Sequence, residues 1–462
     1  MADVDPPWSQ TADPPTKLVR AIQSGIELLK RVLVIGADFA PSSYPPALRL
    51  RFFAQHLKEF GWEPVIVSTD PRYYENEVDE ENRNLIPAGL EIIRTRAIPA
   101  SLTRKFNFGD LGLRSLWHHW RALKSVIREK NIDLVFISVP PNPTMILGRL
   151  AYSRFAIPYV LDYLDPVITD YYWTLPRSQR PPKFVMAYTY LRLLENLAVR
   201  KVAGLVAVSK GTFDELAMRH RRLPEVTEIP FGVEPCDFEY LRKHPRKNPV
   251  FDPSDGLLHL SYVGRGGVDM LPALRAVFQG VITGLERWPD LFRRLRLHFV
   301  GTTYAYKAEG QYQVLALARE LHLGQYVHEH PGRVPYLTAM QIMLDSHALL
   351  IVGSELPHYT ASKVFPYIVS ARPLLAVFHE RSSAVQILRE TNAGTVVTFG
   401  GSRPVLTLTD DIAHHLRNLL ALPPASHAQT RWEAFERYTA RAMTARLAAV
   451  FDKSISQAAV RE

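Results

Sequence analysis

Residues 31–69 read RVLVIGADFAPSSYPPALRLRFFAQHLKEFGWEPVIVST. The stretch opens with a short apolar run, RVLVIG (31–36), and turns through a proline-rich loop. It continues with Leu50, Phe53, Ala54 and Leu57 at helical spacing and closes on a second apolar run, PVIVST (64–69). Short continuous runs rich in Val and Ile suit strands buried on both faces of a parallel sheet. Three-and-four spacing suits a helix turned toward that sheet. The stretch therefore reads as strand, helix, strand, and its repetition along the chain decides the fold class.

LVFISV (134–139), PYVLDY (158–163), GLVAVS (204–209) and a short EIPFGV (228–233) continue the alternation. A basic, proline-bearing stretch, LRKHPRKNPVFDPSDG (241–256), then interrupts it as linkers do. Afterwards LHLSYVG (258–264), LRLHFVG (295–301), YVHEHP (326–331), ALLIVGS (348–354), PLLAVF (373–378) and TVVTF (395–399) restart it. Phe435, Tyr438, Met443 and Leu447 near the end sit near helical spacing. The expected fold is α/β, with two Rossmann-like domains whose parallel sheets face a central cleft, and a closing C-terminal helix. The expected segments are an N-terminal extension (1–30), a first domain (31–240), a linker (241–257), a second domain (258–425), and a closing helix and tail (426–462).

A chain of 462 residues exceeds what one core holds, since single cores stop growing beyond roughly 250–300 residues. Hydrophobic residues make up 47% and charge is spread along the chain, as in a globular protein. The net charge of +9 suits a phosphate-bearing ligand, an anionic membrane surface or nucleic acid. The basic residues are scattered and no nucleic-acid module is recognisable, so nucleic acid is not expected. Cys236 is the single cysteine, which excludes an intramolecular disulfide and a cysteine-cluster metal site. That usage favours a reducing compartment, and a cytoplasmic location is expected. The N-terminus is acidic and proline-rich, unlike a secretory signal, and reads as a disordered extension. Leu134 to Gly148, the least charged run, carries three prolines, so no spanning helix is expected.

Ligands of open α/β sheets sit outside the carboxyl ends of the strands, where helix N-termini favour anions. After the first strand, the loop with Pro41, Ser42 and Ser43 leads to Arg49, which reads either as a guanidinium reaching a ligand or as a solvated helix residue. The loop holds only Gly36, so a dinucleotide fingerprint is absent. In SYVGRGGVDMLPAL, Arg265 follows a strand, and Gly264, Gly266 and Gly267 permit close backbone approach. In ELPHYTASKVFPYIV a helix is expected to begin near Ser362, with Pro366 in its first turn. Ser362, Lys363 and the helix end could then converge on one anion, or simply cap a helix with a solvated lysine. Asp162 and Asp165, at the carboxyl end of PYVLDY, can orient a hydroxyl or initiate an Asp-Pro turn. The histidines show no metal spacing, and no metal is expected. RSLWHHWRALKSVIREK (114–130) reads as a core-packed helix with a basic outside, or as a helix resting on anionic lipid.

In order, APSSYPPALR through FGWEPVIVS, LDYLDP, VAVSKGTFDEL, IPFGVEPCDF, SYVGR, ASKVFPYIVSARPLLAV and ETNAGTVV resemble the landmarks of two-domain GT-B glycosyltransferases, in particular bacterial family 4. The resemblance runs from residue 31 to about 451. It implies transfer of a sugar from a nucleotide-sugar donor, bound mainly by the second half, to a glycan, lipid-linked or small-molecule acceptor bound by the first. It implies a retaining, metal-independent reaction with no cofactor, and it admits a membrane-proximal acceptor with peripheral contact at the inner face of the cell membrane. Arg265 and Lys363 fall where the family holds the donor pyrophosphate, with Ser362 beside them. Arg333, Val334 and Tyr336 fall where backbone meets the nucleobase, and Glu355, His358 and Thr360 where the sugar lies. Asp165 would position the acceptor, and Arg49 would meet donor phosphate or acceptor. Many members carry two glutamates separated by seven residues, but His358 and Pro366 stand at those positions. The common lysine shortly after the SYVGR arginine is also absent. These departures mark a divergent branch, and they keep open a non-catalytic sugar-nucleotide-binding or scaffold protein of the same fold.

Overall fold

A computed structural model describes residues 29–75, 78–103, 109–174, 176–181, 183–303, 312–355, 362–401, 403–423 and 426–461. Most of the expected N-terminal extension lies outside them. Two compact units emerge. One runs to Phe231 and takes in Ala440–Glu462, and the other is Gly232–Thr439.

The first unit is built on β1 (Lys30–Ile35), β2 (Trp62–Thr69), β3 (Glu91–Thr95), β4 (Leu134–Val139), β5 (Tyr159–Tyr163), β6 (Gly204–Ala207) and β7 (Val226–Glu228). All pair in parallel in the order β3-β2-β1-β4-β5-β6-β7. Central strands bury both faces, which is why β1 and β4 read as unbroken apolar runs. The helix Pro45–His56 starts on a proline, whose missing N–H costs nothing there. Gly61, at φ 80°, ends the following turn and lets the chain reverse into β2. Leu50, Phe53, Ala54 and Leu57 cover one sheet face in a core shared with Val32, Val34 and Phe136. The closing helix Ala440–Arg461 joins that core through Met443, Leu447 and Phe451, and the Phe451 ring lies 5.2 Å from those of both Trp62 and Phe136. On the opposite face, Leu123 and Val126 of the helix Leu111–Glu129 are buried with Leu33, Val65 and Ile137. That helix is thus core-packed, as the first of its two readings has it.

The second unit repeats the plan with β8 (Leu258–Val263), β9 (Leu295–Val300), β10 (Val327–His330), β11 (Ala348–Val352), β12 (Leu374–His379) and β13 (Thr395–Phe399). Its parallel order is β10-β9-β8-β11-β12-β13. Among the described residues one helical stretch, Val268–Arg287, is long and apolar enough by composition to cross a membrane. Ala273, Leu274, Val277, Phe278 and Val281 on it are core of this unit, which accounts for that composition.

Three expectations differ from the structure. The 228–233 run is not a strand: the ladder stops after the Ile229 N–H donates to Ala207, because Pro230 has no N–H to extend it. β3 was not expected; an edge strand with a half-buried, charged pattern lacks a continuous apolar run. The units divide at Gly232 rather than near 240. The helix Pro235–Lys243 buries Phe238 and Leu241, and Asp237 on it accepts a 2.8 Å hydrogen bond from the Tyr336 hydroxyl of the second unit.

Candidate functional site

Each sheet order reverses direction once, between β1 and β4 and between β8 and β11. Crevices at such switch points, outside the carboxyl strand ends, are where open α/β sheets bind ligands.

In the second unit the loop after β8 passes beneath Lys363. Gly264 sits at φ 146°, and a Cβ there would lie 2.9 Å from Lys363 Cδ, so glycine is what lets the lysine cross the loop. Lys363 Nζ donates to the Tyr262 hydroxyl and stands 4.1 Å from its ring centroid. Burial first, and then the Arg265 charge, lower the lysine pKa to about 7, with Asp269 opposing. Arg265 itself is held by Asp269 through two 2.8 Å bonds, Nη1 to Oδ1 and Nη2 to Oδ2. The Asp269 carbonyl accepts from the Glu355 N–H at 3.2 Å, tying the loops after β8 and β11 together. The Tyr367 hydroxyl accepts from the Val263 N–H at 2.6 Å, anchoring the following helix to β8. The result is a desolvated amine beside a guanidinium. An anion bound beside them would favour the protonated form of Lys363.

The other expected donor residues are scattered around this pair. The helix begins at Val364, two residues later than expected, and Ser362 is exposed ahead of it, its carbonyl accepting from Phe365 N at 3.4 Å. Arg333 and Val334 are half-buried in the loop after β10. Tyr336 opens the helix Tyr336–Asp345, but its hydroxyl is engaged by Asp237. Glu355 is exposed. His358 and Thr360 lie outside the described residues.

In the first unit, Arg49 corrects the expectation. Its side chain is fully buried. Nε and Nη2 donate to Asp162 at 2.8 and 3.0 Å, Nη1 to the Pro230 carbonyl at 2.6 Å and Nη2 to that of Ile229 at 2.9 Å. Neither Arg49 nor Asp162 faces a ligand; a guanidinium out of water must satisfy its donors internally, and this pair pins the end of β5 to residues 229–230. Pro41 and Ser42 are buried and Ser43 is half-buried. Asp165 is exposed just past β5, and partial desolvation of its carboxyl raises its pKa.

Sequence reasoning missed Asp38. Ser42 Oγ donates to it at 2.6 Å, and burial pushes its carboxyl pKa up. The Tyr74 hydroxyl, raised to about 12 mainly by burial and then by Asp38, donates to the Thr69 carbonyl at 3.0 Å. Asp38, Ser42, Tyr44, Tyr74, Glu75 and Arg114 line a pocket of about 220 Å3 at the carboxyl end of β1. The only sequence signal for it is an aspartate two residues after Gly36, which follows β1. Among the described residues no group of three His, Cys, Asp or Glu side chains is placed to hold a metal.

Residues 46–232 match the family model of the glycosyl transferase 4-like domain, ending where the first unit ends. No curated protein matches the chain in sequence. Among solved structures, HepE of Anabaena in complex with UDP and glucose is similar at 16% identity and TM-score 0.57, covering 92% of this chain and 99% of that one. An α,α-trehalose-phosphate synthase (UDP-forming) from Burkholderia vietnamiensis is similar at 13% identity and TM-score 0.57, covering 94% and 100%. A glycosyltransferase from Rickettsia africae is similar at 13% identity and TM-score 0.54, covering 92% and 98%. The chain has the GT-B fold, two Rossmann-like units in series.

Proposed function

We propose that this protein is a glycosyltransferase that takes a sugar from a nucleoside-diphosphate donor held by the second unit and delivers it to an acceptor hydroxyl held by the first. The observation that carries this reading is Lys363 crossing Gly264 within reach of the Arg265 charge, at the switch point of the second sheet. The bond between the anomeric carbon and the diphosphate breaks, and the acceptor oxygen takes its place. Lys363 and Arg265 neutralise the departing diphosphate as its charge develops. Asp165 orients the acceptor, and the pocket around Asp38 receives its hydroxyls. With the leaving phosphate able to accept the acceptor's proton, transfer retains configuration and proceeds without a metal. We assign a glycan, lipid-linked or small-molecule acceptor, and a cytoplasmic setting in keeping with the single cysteine.

A second reading, donor binding without transfer, is favoured by Pro366 standing in the helix Val364–Val369, at the position where the resemblance to family 4 implies a glutamate. Release of nucleoside diphosphate from a panel of sugar donors, with Arg265→Ala and Lys363→Ala as controls, separates the two. Turnover that both variants reduce by about a hundredfold supports transfer. Donor binding with no release, with or without added acceptors, supports the second reading.

A further inference from the structure

The helix Phe184–Val199 has two apolar faces, and the sheet uses only one. Leu194, Ala198 and Val199 are buried in the core of the first unit, with Tyr188 and Leu191 packed against it. Met186, Tyr190, Leu193 and Leu197, spaced at one helical stripe, face solvent; Met186 and Leu193 are 64% and 60% exposed. Val185 beside them is 56% exposed. Trp173 packs edge-on against Phe184 with ring centroids 5.0 Å apart, and with the helix it lines an open groove of about 1020 Å3. Scattered apolar residues on a surface need no explanation, whereas a contiguous stripe of large ones marks an interaction site.

Charge decides what covers it. Between residues 173 and 201 the cations are Arg177, Arg180, Lys183, Arg192, Arg200 and Lys201, and the one carboxylate is Glu195. Glu195 is buried and bonded to Arg219 at 2.9 and 3.0 Å, so it offers the rim no negative charge. From neighbouring elements Asp170 accepts from the Tyr188 hydroxyl at 2.7 Å and Asp110 acts on Tyr190, and the six cations outnumber these two carboxylates. Arg180 stacks over Trp173 at 5.1 Å, leaving a basic group beside an aromatic at the groove edge. Two copies of this face would bring like charges together. An apolar stripe bordered by arginine and lysine, with an indole at its margin, instead matches a surface that is negative outside and apolar beneath. We infer that the Phe184–Val199 face, with Trp173 and its basic rim, docks this protein on an anionic lipid bilayer, the stripe entering the boundary between headgroups and acyl chains. The inference is independent of the transferase reading, since no residue placed at either switch point contributes to it.

The test is co-sedimentation of the full chain with vesicles of phosphatidylcholine alone and of phosphatidylcholine with phosphatidylglycerol, at low and high salt. The expected result is binding to the anionic vesicles that exceeds binding to neutral ones by roughly tenfold and weakens with salt. Met186→Ser/Leu193→Ser should lose roughly tenfold in binding at every salt concentration, and Arg177→Gln/Arg180→Gln/Lys183→Gln should lose the preference for the anionic lipid. These side chains lie at the surface, so both variants should melt like the parent protein. A parent protein that stays in the supernatant at low salt overturns the inference, as does binding that neither variant alters. A dimer in light scattering that Met186→Ser/Leu193→Ser converts to monomer overturns it as well, assigning the face to a second copy.

Discussion

Asp269 occupies both outer nitrogens of Arg265, so a donor diphosphate must share or displace a carboxylate already in place. Asp269→Asn removes that competing charge. It should tighten binding of a nucleoside-diphosphate sugar by about tenfold, worth ~1.4 kcal/mol, as read by calorimetry. Weaker binding would show instead that Asp269 serves the site by holding the arginine in position. The Arg49 and Asp162 pair makes the opposite case, a buried ion pair with no access for ligand. Removing one partner leaves an uncompensated charge, so Arg49→Met should destabilise the fold by about 3–5 kcal/mol in denaturant unfolding, and Arg49→Met/Asp162→Leu by clearly less. At this scale the sequence was a partial guide. Arg265 and Lys363 were legible because a glycine turn at a strand end and a lysine ahead of a short helix are local signals. Arg49 was misread because its partner lies 113 residues away. Asp38 was missed because what distinguishes it, enclosure by Tyr74 and Arg94, comes from the loop and strand after β2.

Strands with both faces buried were legible, and β1, β4, β8 and β11 lie within a residue or two of their apolar runs. β3 and β7 were not, because an edge strand is defined by its neighbour's ladder more than by its own composition. The closing helix was visible in the spacing of Met443 and Leu447, but not the unit it packs on. Met443, Leu447, Ala448, Val450 and Phe451 attach it to the first unit's core, with the Phe451 ring packed against those of Trp62 and Phe136. Phe451→Ala should cost about 3–5 kcal/mol by opening a cavity between helix and sheet. Because that core belongs to the first unit, the loss should appear in the unfolding of that unit, while donor binding by the second unit persists. Loss of donor binding in the still-folded variant would contradict the division of labour between the units.

At the scale of the molecule, one plan is used twice: a parallel sheet whose strand order reverses beside its first strand, with charged side chains in the loops at that reversal. The repetition was readable in the sequence as two series of apolar runs, although the halves share no sequence repeat. In the second unit Lys363 and Arg265 lie close together at the reversal point, and the function proposed for the whole chain depends on them. Lys363 has a pKa of about 7 in the ligand-free protein. A bound diphosphate raises it, so protonation and binding are linked, and affinity should fall as pH rises above about 7. The measurement that tests this most directly is calorimetric titration with the sugar conjugates of uridine, guanosine and adenosine diphosphate. These conjugates do not themselves titrate near neutrality, and the titration is done at pH about 6 and about 8. The account predicts that at least one conjugate binds, more tightly at the lower pH, and that Lys363→Ala abolishes both the binding and its pH dependence. Failure of every conjugate to bind the folded protein, or binding that Lys363→Ala leaves unchanged, would contradict it.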